Sequence, residues 1–212
     1  MTEQNFDQMR AAMVASQLRT TGVDDPRVLG AMAAVPRERF VPGDRRALAY
    51  ADVATPLGQG RAMAAPAVLG RLLTEARVRI GEHVLVIGAG PGYSAAVLAA
   101  LGCDVIALET ADGPGAEAHP AGVTAVSGAL DAGWPASAPY SLILFDGAIE
   151  LVPQAIVDQL AEGGRIAAPL IERGVSRLAI GIKAAGVIGW RRIIEAAAPA
   201  LPGFAAPATF RF

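Results

Sequence analysis

The run from Val84 to Cys103 contains no charged residue, and its middle reads Gly88-Ala89-Gly90-Pro91-Gly92. A stretch of that length and character has the size of a membrane span. Three glycines and a proline would break a continuous helix at its centre, whereas a buried strand, a tight turn and a buried helix account for the same letters. That reading predicts a strand, VLVIG at 84–88, feeding a helix over 92–101. A glycine turn in this context is suited to an anionic ligand. Glycine admits the ligand close to the backbone, and the first amides of the helix offer unpaired donors and a partial positive charge.

Two ligand classes use such a turn. A dinucleotide places its pyrophosphate there, and the matching fingerprint needs a small third residue where this chain has Tyr93. A tyrosine at that point favours a nucleoside joined to an amino acid, whose carboxylate takes the helix amides. Glu109, at the end of the next apolar run and about twenty residues after the loop, sits where a carboxylate accepts the hydroxyls of a ribose. Gly88, Gly90, Gly92, Tyr93 and Glu109 are therefore the candidate cofactor-binding residues. Tyr93 has two readings, covering the methionine end of a cofactor or packing the start of the helix.

The apolar runs VLVIG, DVIALE, VTAV, YSLILFD and GRIAAPL lie between 84 and 170 and alternate with longer segments. Strands apolar on both faces belong to a parallel sheet covered by helices. A helix is expected over 151–161, ended by Gly163-Gly164, and further strands in RLAIGIK and WRRIIE. The first 79 residues read as helical, with a break at Val23-Asp24-Asp25-Pro26, a long ordered loop over 37–57 and a helix after Pro66. Together these predict a single domain over 1–212, with 1–79 as an N-terminal helical extension and substrate-side loop and 80–212 as the core. Asp146 closes the fourth run at the carboxyl edge of the sheet, where open α/β folds bind ligands.

Composition narrows the function classes. With 53% hydrophobic and 18% charged residues the chain can bury a sizeable core, and a formal net charge of -2 gives no reason to expect a nucleic-acid partner. One cysteine, Cys103, allows neither an internal disulfide nor a thiolate metal site. His83 and His119 are too few for a metal centre. The opening MTEQNFDQMR lacks the basic start and apolar run of a secretory signal, so a soluble, cytoplasmic protein with no membrane partner is expected.

The segments MVASQLRTTGVDDPRVLGAMAAVPRERFVP, YADVATPLGQG, HVLVIGAGPGYSAAVLAALG and GWPASAPYSLILFDGA together resemble protein-L-isoaspartate O-methyltransferases over nearly the whole length. The resemblance implies a Rossmann-like, seven-stranded S-adenosylmethionine-dependent methyltransferase fold with an N-terminal helical extension over the site. It implies S-adenosylmethionine as cofactor and methyl transfer to the isoaspartyl carboxylate of a protein or peptide. Arg37, Arg39 and Phe40 are expected to dock the extension onto the core.

Several positions depart from the family pattern. Where the family has a segment like G-Q-T-I-S-Q-P, this chain has Gly60-Arg61-Ala62-Met63-Ala64-Ala65-Pro66, so Ala64 occupies the serine position and no catalytic residue is assigned beyond Asp146 as a candidate. Val86 stands where the family commonly has an acid. Gly128-Ala129-Leu130 replaces a GDG-like turn, with Asp131 nearby as a substitute. The 110–122 crossover carries too much glycine and proline for the family's helix, which predicts a thinner cover over one sheet face and a homodimer or partner contact there. A non-catalytic binding module is the alternative to a methyltransferase, and a nicotinamide-dependent reductase is a weaker one.

Overall fold

A computed structural model describes residues 5–115 and 120–207. The chain opens with α1 (Phe6–Ala12), a wider helical continuation over Met13–Leu18 and α2 (Pro26–Ala34). Asp25 caps α2 by accepting the Arg27 amide, and Pro26 occupies the first turn, where its missing N–H costs nothing. Two short 3-10 turns, Arg37–Phe40 and Gly43–Leu48, lead into strands β1 (Thr55–Gly58) and β2 (Arg61–Met63), followed by α3 (Pro66–Ala76). The expected loop over 37–57 thus holds short helical turns, and a hairpin interrupts the helical extension. The cause is Gly58-Gln59-Gly60, whose positive φ angles of 94°, 54° and 71° reverse the chain.

The core follows with β3 (His83–Ile87), α4 (Tyr93–Ala100), β4 (Asp104–Glu109), β5 (Val123–Ser127), β6 (Tyr140–Phe145), α5 (Gln154–Gln159), β7 (Leu160–Glu172), β8 (Val175–Ala184) and β9 (Val187–Glu195). One seven-stranded sheet runs β5-β4-β3-β6-β7-β8-β9, parallel from β5 to β7 and antiparallel beyond. Strand order reverses beside β3, which places a ligand crevice at the carboxyl ends of β3, β4 and β6. No helix among the described residues is long and apolar enough to cross a membrane.

Two expectations change. The helix expected over 151–161 is confined to Gln154–Gln159, and Gly163-Gly164 lies inside β7 rather than ending a helix. Leu160 already has extended angles, so the chain passes directly from helix to strand, and Gly163 at φ 74° absorbs the irregular pairing that follows. The thinner cover falls on β5 alone, where every residue is at least partly exposed, while β4 is buried from Val105 to Glu109.

No regular helix forms in the described part of the 110–122 crossover; residues 116–119, including His119, lie outside the described residues. The crossover folds back onto the glycine turn. A Cβ on Gly115 would sit 2.6 Å from the Pro91 Cα, at a φ of 71°. Gly115→Ala is accordingly expected to lose about 1–3 kcal/mol, because neither the backbone of Pro91 nor the left-handed φ can yield cheaply. Chemical denaturation of the variant beside the parent checks it.

Candidate functional site

β3 delivers the chain into Gly88-Ala89-Gly90-Pro91-Gly92, and Gly92 at φ 91° turns it into α4. The amides of Gly88 and Ala89 are spent on the Leu108 carbonyl, which ties the turn to the end of β4. Gly90 instead donates to Glu109 Oε2 at 2.8 Å. The glycine turn and the strand-end acid thus lie against each other across the carboxyl edge of adjacent parallel strands.

Glu109 has a further partner that the sequence did not disclose. Arg61, first residue of β2, reaches both carboxylate oxygens, Nη1 to Oε1 at 3.1 Å and Nη2 to Oε2 at 3.2 Å, and donates to the Gly88 carbonyl at 2.9 Å. Their side chains are 8% and 6% exposed. Thr110 completes the set by donating its amide to Oε1 at 2.9 Å. A buried ion pair persists when its geometry is two-pronged and its remaining lone pairs are satisfied, as here. A readable signal existed, since Arg61 is the one charged residue between Asp52 and Arg71.

In front of Arg61 lies an open cleft of ≈ 550 Å³, bordered by Thr110, Asp112, Ala129, Leu130 and Asp131 and by Pro202-Gly203 of the tail. A separate wedge among Gly90, Gly92, Glu109, Gly115 and Pro120 is ≈ 10 Å³. Asp131 thus borders the cleft beside Ala129. Val86 is fully buried in the sheet.

Tyr93 does not line the cleft. It is 1% exposed, edge-on to Phe40 with centroids 5.6 Å apart, and the Arg37 guanidinium stacks on its ring at 4.8 Å. The structure thus uses Tyr93 to pack the start of α4, the second of its two readings. Arg37 and Phe40 dock the extension as expected. Arg39 is exposed, but Arg37 is wholly buried and donates to the carbonyls of Ala49 at 2.8 Å and Ala64 at 2.6 Å. Through that bond Arg37 holds the 60–66 segment, in which Ala64 is buried without any side-chain polar group.

Asp146 follows β6 and accepts the Ser94 hydroxyl at 2.6 Å. Burial pushes its carboxyl above the ordinary aspartate range, against the opposing pull of the Ser94 hydroxyl and the Arg37 and Arg61 charges. The folded protein therefore binds this proton more tightly than the unfolded chain does. The raised pKa therefore costs stability at about pH 7, and the cost fades as pH falls toward about 4. Asp146→Asn is expected to raise the melting temperature at about pH 7, with the gain shrinking toward about pH 4; melting curves across that range check it.

The matching family model, protein-L-isoaspartate(D-aspartate) O-methyltransferase, spans residues 9–187. The chain belongs to this family. A protein-L-isoaspartate O-methyltransferase of Methylorubrum populi is 40% identical over 171 residues, covering 77% of this chain and 80% of the relative. One from Methanoculleus marisnigri is 38% identical over 168 residues, covering 76% of each. Among solved structures, a protein-L-isoaspartate O-methyltransferase superposes with a TM-score of 0.75 at 22% identity, over 92% of this chain and 66% of that one. A Plasmodium falciparum structure, provisionally assigned to the same activity and in complex with S-adenosyl-L-homocysteine, gives 0.74 at 20% identity, over 94% and 99%. The seven-stranded sheet and N-terminal helices are thus the protein-L-isoaspartate O-methyltransferase fold.

Proposed function

We propose that this protein-L-isoaspartate O-methyltransferase family member is an S-adenosylmethionine-dependent O-methyltransferase acting on the isoaspartyl carboxylate of a protein or peptide, at low turnover. The observation that carries the reading is Arg61 of the β1-β2 hairpin, which bonds both the glycine turn and Glu109 and itself borders the open cleft at the carboxyl edge of the sheet. The donor set fits the cofactor. The first α4 amides, opened by the Gly88–Gly92 turn, suit the carboxylate of its methionine moiety, Glu109 suits the ribose hydroxyls, and Ala129, Leu130 and Asp131 border the space left for the base.

When bound, S-adenosylmethionine supplies a methyl group already activated by the sulfonium. The acceptor carboxylate is ionised at neutral pH, so no general base is required. What remains for the chain is to orient the acceptor and exclude water. Buried Arg37 contributes by fixing the Ala64 backbone, three residues after Arg61. A catalytic role for Asp146 is unnecessary on this account, and its bond to Ser94 ties β6 to α4.

The alanines at 62, 64 and 65 favour a second reading, a binding module that keeps the fold without turnover. Transfer of label from S-adenosylmethionine to an isoaspartyl peptide, with the aspartyl peptide alongside, tests both. Label in the isoaspartyl peptide alone supports the enzyme. Binding of S-adenosylhomocysteine without any transfer supports the module.

A further inference from the structure

We propose that Arg61 is a latch on the cofactor cleft: it holds the Glu109 carboxylate in the ligand-free protein, and a ligand presenting ribose hydroxyls must displace it to bind. The inference rests on the cofactor reading above and names the residue of this chain that controls entry.

Three observations converge. First, the acceptor capacity of Glu109 is already engaged. Oε1 takes Arg61 and the Thr110 amide, and Oε2 takes Arg61 and the Gly90 amide. A ribose cannot add its hydroxyls to that carboxylate while the guanidinium stays.

Second, Arg61 also bonds the Gly88 carbonyl, so one side chain bridges the glycine turn and the strand-end acid. The crossover closes over the same place. A Cβ on Gly113 would lie 2.5 Å from Glu109 Oε1, and a Cβ on Gly92 would lie 2.7 Å from the Pro120 ring. The space beside Glu109 under the crossover is ≈ 10 Å³, too small for a ribose, while the cleft that Arg61 borders is ≈ 550 Å³.

Third, the latch is mounted on an element separate from the main sheet. Arg61 follows directly on the Gly58-Gln59-Gly60 turn, and β1 and β2 form their own two-stranded ladder apart from the main sheet. Withdrawal of the hairpin requires no strand of the large sheet to break. The energetic consequence is a population effect: affinity for the ligand is reduced by the fraction of molecules in which the latch is closed.

The experiment measures S-adenosylhomocysteine binding by calorimetry to the full chain and to Arg61→Gln, with hydrogen exchange of both ligand-free proteins. Arg61→Gln is expected to bind at least about tenfold more tightly, and to lose protection in residues 59–63 and 109–113. Arg61→Lys keeps the charge without the two-pronged grip and is expected to fall between them. Equal or weaker binding by Arg61→Gln, with measurable affinity in both proteins, overturns the latch and leaves the cofactor reading standing. Unchanged exchange in the hairpin overturns the latch without reference to any ligand. Failure of every folded variant to bind, despite lost hairpin protection, overturns the cofactor reading and the latch's role with it.

Discussion

Methylation of an isoaspartyl peptide is expected to run at least about a hundredfold slower with this protein than with a relative that keeps the polar acceptor segment, equivalent to about 2.7 kcal/mol of transition-state stabilisation. Three side chains able to hydrogen-bond the acceptor are absent at Ala62, Ala64 and Ala65. Each such bond is worth about 0.5–1.5 kcal/mol net, and more to a charged carboxylate. Backbone does not readily compensate, because the Ala64 carbonyl is an acceptor and already takes Arg37. On the cofactor side the latch on Glu109 and the missing turn aspartate add to the loss, and contributions from separate places combine roughly additively. Ala64→Ser alone is therefore not expected to restore the rate, since one hydroxyl without its neighbours does not fix the acceptor. The measurement is initial-rate transfer from labelled S-adenosylmethionine, beside an intact relative at the same peptide concentration. Comparable turnover by the unmodified chain would sink this expectation.

Arg37→Ala is expected to destabilise the fold by about 3 kcal/mol. Its guanidinium is wholly enclosed and donates to the carbonyls of Ala49 and Ala64. Truncation leaves two buried acceptors without a donor, at about 1–3 kcal/mol each, and opens a void over the Tyr93 ring. One effect opposes these. Burial disfavours the charged guanidinium and pulls its pKa down, and Nη1 has no hydrogen-bond partner, so deleting the charge returns some desolvation energy. The orphaned carbonyls and the void outweigh that return, because a methyl group supplies neither donor nor volume. For a chain of this size about 3 kcal/mol corresponds to a fall of about 6–12 °C in melting temperature. Urea unfolding checks it, with a lower midpoint at unchanged slope as the expected signature. A variant as stable as the parent would show that the extension docks without this residue.

The glycine turn, its strand and helix, and the acid at the end of β4 were legible because each is written locally. Apolar runs of strand length, a glycine-proline break and a helix-forming stretch follow one another in the chain, and the register of adjacent parallel strands then places Gly90 against Glu109. The end of α5 was not legible, because Gly163-Gly164 has the composition of a helix stop and equally that of an irregular strand. The β1-β2 hairpin was missed for a related reason. Its strands are too short to show a period, and its signal is confined to the Gly58-Gln59-Gly60 turn.

The sequence by itself determined the order of strands and helices in the core, the position of the glycine turn, and which polar side chains the acceptor segment lacks. Those properties depend on neighbours in the chain. Tertiary structure alone decided what surrounds the two buried arginines and Tyr93. Arg61 meets Glu109 at a separation of 48 positions along the chain, and Arg37 meets Ala64 at 27. Whether a charged side chain ends in water or against a buried carboxylate is set by the folded path of distant segments. A local pattern of hydrophobicity carries no record of that path, because the partner's position enters only when the core has formed.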